Sequence, residues 1–407
     1  MAPARAGEVS WPTGMDVSSA SYEGSPRNAE HINNIRWDLS LKPKRYEMLG
    51  TPPDSSILFL DVNIIDSTGA EPYNGDVLIQ GLGDGHTHLT WNGGDLNHLG
   101  DLGVEEHTLV TVKSARCFLD SGYTMCFGAA SAKERLDVVI RDAINAGDIP
   151  GPRYLANGME LARRDGTLVA GITAAADGPD EMQTLAAQDC YFTDEETAAC
   201  VDEAHKHGKR LCAHARARDS VIMCVRHGVE AIYHASFIDD QGMDMLEKAK
   251  TKHVVVPAIN WLIATLHEAE AFGYTHAQAD KAGYTRELNT AIAGLREMHR
   301  RGIVVLPGGD YGFAWTPHGT YARDLEHFVK LLGFTPHEAI IAATAGVAAL
   351  MMRADELGRV QRGCYADCIL VDGDPLADIS VLQDHSRLNV ICINGRIHKV
   401  ADQDSRC

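Results

Sequence analysis

The sequence predicts an α/β fold, a parallel barrel joined to a small sheet domain, and three observations carry that expectation. Short apolar, β-rich segments alternate with longer amphipathic ones from residue 81 to about residue 357, as parallel strands with crossover helices do. Several of the apolar segments end in His or Asp, and an α/β barrel builds its site at the C-terminal ends of its strands. Strand-like runs bounded by Gly, Asp and Pro occur near both ends of the chain, so one small sheet domain is expected to be assembled from the two.

Taken in order, residues 1–50 are polar and rich in turn formers, as in Ser25-Pro-Arg-Asn, and form a loosely ordered arm. The small domain is expected from 51–80 and 358–407. Its strands are Ile57-Leu-Phe-Leu-Asp-Val-Asn-Ile-Ile, Gly75-Asp-Val-Leu-Ile-Gln, Ala366-Asp-Cys-Ile-Leu-Val and Val390-Ile-Cys-Ile-Asn-Gly. The barrel is expected from 81–357, with strands at 81–89, 122–129, 151–158, 208–214, 229–235, 252–258 and 302–310. Helices are predicted at Val104–Asp120, Lys133–Ala146, Asp194–His207, Ala217–His227, Gly242–Lys250, Tyr284–Arg301, Arg323–Leu332 and Thr335–Met352. Thr193-Asp-Glu-Glu and Thr335-Pro-His-Glu each supply an N-cap with an acidic residue in the first turn.

A chain of 407 residues holds one large core and an accessory domain, because single cores stop growing at roughly 250–300 residues. The formal charge of −19 disfavours nucleic acid and anionic membrane as partners and leaves a small molecule as the expected one, with a homo-oligomer allowed. No run approaches the roughly 18 apolar residues of a membrane span, and the first 30 residues lack an export signal. Ten cysteines are scattered without a C-x-x-C pair, as buried free thiols in a reducing, cytoplasmic compartment would be.

His86-Thr87-His88 closes the first barrel strand. Alternation along a strand sends both imidazoles to one side, where two nitrogens can share a divalent metal. His214, His234 and Asp310 each end a later apolar run. The five together predict a metal-dependent hydrolase. Cleaving an amide, urea or carbamate needs a strong nucleophile, a polarised carbonyl and a proton for the leaving nitrogen. A bound metal supplies the first two. Asp310 would move the proton, and His234, with His214, would hold a second ion or orient the carbonyl. His205 and His207 sit where a helix ends and read as structural. Trp91, Asn92, Asp95, Asn260, Trp261, His318, Tyr321 and Arg323 fall in expected loops near the site, and Trp91, Trp261, Phe313 and Trp315 would give it an aromatic wall.

Gly83-Asp-Gly-His-Thr-His-Leu, Val201-Asp-Glu-Ala-His-Lys-His-Gly-Lys-Arg-Leu-Cys-Ala-His-Ala, Gly228-Val-Glu-Ala-Ile-Tyr-His-Ala and Leu306-Pro-Gly-Gly-Asp resemble the signature segments of the amidohydrolase superfamily. The resemblance runs from about 57 to 400 and is strongest to the imidazolonepropionase-like branch, with its Xaa-Pro dipeptidases and its ochratoxin, phenylurea and molinate hydrolases. It implies a (β/α)8 TIM barrel with a small β-sandwich. It also implies one or two ions, zinc first with manganese or iron as alternatives, on His86, His88, His214, His234 and Asp310.

Relatives with two ions bridge them by a carboxylated lysine on the fourth strand. Here no lysine occurs between Lys133 and Lys206, and the chain passes from Met182 to Asp189 without room for a helix and that strand. The expected count is therefore seven strands. A shortened isoform is the favoured explanation; recruitment of 183–192 as a substitute strand, or an inactive relative that only binds a ligand or partner, are the alternatives. Position 217 is Ala where deaminase-type relatives carry a proton-shuttling Glu, which disfavours deamination.

Overall fold

In a computed structural model of the protein, residues 62–67, 76–162, 172–175 and 192–400 are described. The strands are β1 (Val62–Ile65), β2 (Asp76–Gln80), β3 (Leu82–Thr87), β4 (Tyr123–Gly128), β5 (Arg153–Leu155), β6 (Glu160–Ala162) and β7 (Thr173–Ala175). They continue with β8 (Cys212–Ala215), β9 (Ala231–His234), β10 (Val254–Val256), β11 (Cys368–Val371), β12 (Leu388–Ile393) and β13 (Arg396–Val400). The N-terminal arm and residues 57–61 of the first expected strand lie outside the described residues.

The chain's two ends do meet in one sheet, of order β1-β2-β11-β12-β13. β2 is parallel to β1 and antiparallel to β11, with Ile79 opposite Ile369. Its inner face, with Ile79, Ile369, Leu388 and Ile391, joins Phe118, Tyr123 and Leu325 in a single apolar cluster, so the small sheet and the barrel share a core. The described strands form one layer; the second layer of the expected sandwich is not among them. Gly81 joins β2 directly to β3, where a Cβ would lie 2.2 Å from the Thr124 hydroxyl.

β3-β4-β5 form one parallel sheet and β8-β9-β10 another. The strand expected at 302–310 is not regular. Its backbone instead makes single bridges, Val305 to Val255 and Tyr311 to Thr87. Leu306 N donates to Val255 O and Gly85 N to Pro307 O, each at 2.9 Å. Pro307 removes a ladder donor, and the two glycines after it weaken a regular strand, which accounts for the irregularity. At Gly308 a Cβ would stand 2.6 Å from His86 N, so only glycine lets the two backbones approach. The segment thus stitches the sheets into an arc of order β5-β4-β3-(303–311)-β10-β9-β8.

Between β5 and β8, the two ends of the arc, no ladder is present among the described residues. The paired β6 and β7 lie near this gap, and Cys212 Sγ reaches Asn157 Oδ1 at 3.6 Å across it. The segment 183–191, most of the expected substitute strand, lies outside the described residues; Phe192 after it is buried.

Helices cover the arc. Val104–Asp120 occurs as expected, and Asp194–Lys206 opens on a full capping box from Thr193 and Glu196. The helix expected from Lys133 starts later, at Leu136–Ala146. Asn260 and Trp261 are not in a loop but in the helix Ile259–His267, which is apolar nearly all round, so a search for an amphipathic stripe passes over it. The last two helices run as Arg323–His327 and Pro336–Ile341, each followed by a π-turn, at Phe328–Leu332 and Ala342–Gly346. No described helix is long and apolar enough to cross a membrane.

Candidate functional site

The five residues singled out in the sequence come together at the C-terminal end of the arc. His86 lies in β3 and His88 one step beyond it; His214 lies in β8; His234 ends β9; Asp310 follows the Pro-Gly-Gly stitch. Ring centres of His86 and His88 are 5.1 Å apart, and His86 stands 5.0 Å from His214 and 5.3 Å from His234. Asp310 Oδ1 is 3.1 Å from His88 Nε2 and 3.8 Å from His86 Nε2. His214 Nδ1 and His234 Nε2 are 3.0 Å apart. Donor atoms of His86, His88 and His214 all lie within 4.8 Å of one another, as do those of His86, His234 and Asp310.

Each side chain is aimed by its surroundings. Asp84 accepts from His86 N at 2.8 Å and from the Thr87 hydroxyl at 2.9 Å, fixing the turn of chain that carries the pair. Burial lifts the Asp84 carboxyl to about 7 against those bonds. The His86 ring stacks on Tyr233 at 3.9 Å and the His88 ring on Trp91 at 3.4 Å. His318, expected in an overhanging loop, is half-buried and bonded to Trp91 O at 2.9 Å and to the Tyr321 hydroxyl at 3.0 Å, so it holds Trp91 in place. His234 (φ 71°) and Asp310 (φ 58°) adopt left-handed backbone, which costs about 1–2 kcal/mol per residue and concentrates at sites where geometry is over-determined.

Burial makes the imidazoles of His86, His214 and His234 neutral. Desolvation, reinforced by neighbouring His residues and Arg216, takes His86 and His234 well below the ordinary histidine range. His214 falls to about 3, desolvation outweighing the favourable charge of Asp310. Asp310 is pulled up by desolvation but held lower overall by contact with His88 and by the His214 and Arg216 charges. Neutral imidazole and ionised carboxylate are the forms that ligate a metal. Both ring nitrogens of His86, Nδ1 of His88 and Nε2 of His214 are buried without a hydrogen-bond partner among the described residues, while His88 Nε2 and Asp310 Oδ1 face each other at 3.1 Å without full hydrogen-bond geometry. Leaving each unmade costs roughly 1–3 kcal/mol. A shared cation is the one occupant that satisfies imidazole lone pairs and a carboxylate together, so the donor set fits a divalent ion.

Sequence reasoning passed over three residues of this neighbourhood. Tyr233 stacks on His86. Arg216, two residues after His214, lies 4.6 Å over the Trp261 ring and 3.4 Å from Glu287. Glu160 of β6 has a carboxylate 3.7 Å from His214 Nε2, and desolvation and the Asp310 charge raise it to about 7 against Arg216. The strand-end pattern of Gly83–His88 could not reveal Glu160, because it lies two residues past the expected strand 151–158, in a short strand of its own, and its partner is distant in sequence. The expected aromatic wall exists beside the histidines: Trp91 and Phe313 form a cluster with Trp261 and Trp315 packed against it. His205 and His207 end their helix paired with Glu230 and Glu203, as structural residues.

The sequence matches the amidohydrolase family over residues 77–398. It is 24% identical to ochratoxinase from Aspergillus niger over 79% of this chain and 76% of that one. It is 24% identical to imidazolonepropionase from Caldanaerobacter subterraneus subsp. tengcongensis over 46% of this chain and 39% of that one. Among solved structures, an Xaa-Pro dipeptidase with bound methionine superposes with a TM-score of 0.69 at 22% identity, covering 82% of this chain and 97% of its own. Neighbours of this kind are TIM-barrel proteins, which agrees with the arc of parallel strands.

Proposed function

The chain belongs to the amidohydrolase family, whose members hydrolyse carbon–nitrogen bonds, and on that premise we propose that it cleaves an amide-type bond of a small molecule with the aid of one or two divalent ions. The observation that carries this reading is that four histidines and one aspartate each bring one donor atom into two overlapping groups, His86 with His88 and His214, and His86 with His234 and Asp310, whose donors lie within 4.8 Å of one another. His86, His88 and Asp310 would hold one ion, and His214 and His234 a second or the same one. Zinc suits this N/O set, and manganese or iron remain compatible. An ion held there supplies Lewis acidity and lowers the pKa of water.

The chain's own groups do the rest. Asp310, ionised and directed at the cluster, takes the proton of the attacking water and returns it to the departing nitrogen. His234, kept neutral and fixed by its left-handed backbone, gives its one N–H to the Pro257 carbonyl and turns the Nε2 lone pair toward the cluster, beside His214 Nδ1, where it would serve as a ligand. Trp91, Trp261, Phe313 and Trp315 give an apolar group a surface to lie on. Arg216, ion-paired through Nε with Glu287 at 3.4 Å, brings a guanidinium charge to bear on His86, His214, His234 and Asp310, which favours a substrate with a carboxylate, an N-acyl amino acid or Xaa-Pro type, over a neutral urea. We assign the catalytic barrel to 81–357 and the small domain to 51–80 and 358–407. The eight described cysteines are free thiols, which supports a reducing, cytoplasmic setting.

The lack of any lysine between Lys133 and Lys206, where a bridging one would be sought, favours a second reading: a scaffold that binds a ligand without turning it over. One experiment separates the two. Purified protein is analysed for zinc, manganese and iron, then offered N-acyl amino acids, Xaa-Pro dipeptides, aryl ureas and thiocarbamates with each ion. One to two ions per chain with cleavage of a carboxylate-bearing amide are expected. Ion binding without any cleavage sustains the scaffold reading, and a chain that retains no ion overturns the proposal.

A further inference from the structure

We propose that Glu160 is a positioning residue of the ion site, accepting the outer ring N–H of His214 so that its other nitrogen faces the ion. The inference rests on the reading above and follows from counting the two nitrogens of one ring. His214 Nδ1 is turned inward, 3.0 Å from His234 Nε2, the separation of two lone-pair donors with a proton or a cation between them. His214 Nε2 points the opposite way. It is buried, has no hydrogen-bond partner among the described residues, and has the Glu160 carboxylate as its acidic neighbour at 3.7 Å.

That distance exceeds the roughly 2.7–2.9 Å of a charge-assisted bond, so the bond forms only when the Glu160 carboxylate moves about 1 Å closer. When the inner nitrogen binds a cation, the outer N–H becomes more acidic and the carboxylate a better partner for it. Ligating histidines nearly always give their second N–H to a carboxylate, carbonyl or water, and loss of that partner typically costs 10–100-fold in metal affinity.

The location gives the assignment its meaning. Glu160 belongs to β6, which among the described residues pairs with the short β7, Glu160 standing opposite Thr173, and its carboxylate approaches His214 of β8. On the other side, each of His86, His234 and Asp310 is aimed by a strand ladder, a stacked ring or a constrained backbone. His214 lies in the strand at the open end of the arc, with its side chain 16% exposed. A carboxylate reaching across the gap supplies the orientation that a neighbouring strand would otherwise impose.

The test compares zinc dissociation constants, by competition with a chromophoric chelator, for the full chain and for E160A and E160Q. Glutamine keeps an acceptor for the ring N–H and is a poor metal ligand, so the two substitutions separate the roles. E160A is expected to bind zinc 10–100-fold more weakly, with E160Q closer to the wild type than to E160A and the number of ions unchanged. Equal affinity in E160A and wild type overturns the inference. So does E160Q lying closer to E160A, or the loss of an ion in either, since both would make Glu160 a direct ligand. Should E160A not fold, E160M, of similar length and without an acceptor, replaces it. Failure of the wild type itself to bind zinc defeats the hydrolase reading, whereas zinc binding unaltered by these substitutions defeats only the role of Glu160.

Discussion

The two sides of the arc of parallel strands solve the same problem by different means. From β4 through β3, the 303–311 stitch and β10 to β9, backbone hydrogen bonds run unbroken, and His86, His88, His234 and Asp310 are aimed by that continuous frame. From β5 to β8 no described ladder exists, and the contacts that cross are side-chain ones, Cys212 to Asn157 and His214 to Glu160. The difference teaches how the donors of a multi-ligand site are aimed: by a rigid frame for most of them, and by a side-chain tie for the donor at the edge of the described ladder.

The largest break in that comparison comes from removing a donor on the framed side. His86→Ala deletes two of the buried unbonded nitrogens and the ring stacked on Tyr233. Ion binding and all hydrolysis are expected to vanish while the far-ultraviolet circular dichroism stays that of the wild type. Chelation should likewise silence the wild type, with zinc restoring it. Activity that survives either treatment would show that the frame serves something other than an ion.

The open side should fail through stability instead. Arg153, in the last strand before the gap, is paired with buried Asp367 by bonds of 2.9 and 3.0 Å and also bonds Asn394, tying β5 to the small sheet. Burial holds the Asp367 carboxyl above its usual range even with this partner. Arg153→Ala strands that carboxylate, and such losses cost about 3–5 kcal/mol. The midpoint of urea unfolding should fall accordingly. An unchanged midpoint would mean that β5 is held by means other than its tie to the small sheet.

On the framed side, Gly308→Ala places a methyl 2.6 Å from His86 N and 2.8 Å from His86 Cβ. Backbone must shift, at about 1–3 kcal/mol, and the shift bears directly on a donor. Zinc affinity is therefore expected to fall along with the melting temperature, which Arg153→Ala should not cause to the same degree.

These contrasts also mark what the sequence could reveal. The His-Thr-His pair and the three strand-end residues were legible because each sits at a boundary between an apolar run and a turn, and period-two alternation fixes direction. The helix Val104–Asp120 was legible from its stripe, whereas Ile259–His267 was not, since seven of its residues are buried and no polar face marks it. The irregular 302–310 segment has a strand's composition, and the Pro307-Gly308-Gly309 run was visible, but its single bridges depend on which backbones lie on either side. Glu160 and Arg216 escaped for a related reason. A charged residue in a short segment carries no periodic signal, and only the approach of a distant strand end gives it a partner.

The smallest effect offers the cleanest comparison, because the chain places the same device on both sides. Thr193 caps Asp194–Lys206, the first described helix after the gap, and Thr335 caps Pro336–Ile341, which leads to helix Val347–Leu350 packed against β3 and β4. Both are full capping boxes, with Glu196 and Glu338 answering the backbone N–H of the cap. Replacing either threonine by alanine should cost about 1 kcal/mol, so the two variants begin with equal losses. Their consequences differ with the frame. A helix tied into the continuous arc opens only when the arc opens, so Thr335→Ala should lower the protection of β3, β4 and its own helix together in hydrogen exchange. The helix beside the gap can fray alone, so Thr193→Ala should raise exchange in Asp194–Lys206 and β8 while β3 and β4 keep their protection. If both variants loosen the same amides to the same extent, the two sides form one cooperative unit, and the open edge is stiffer than its missing ladder implies.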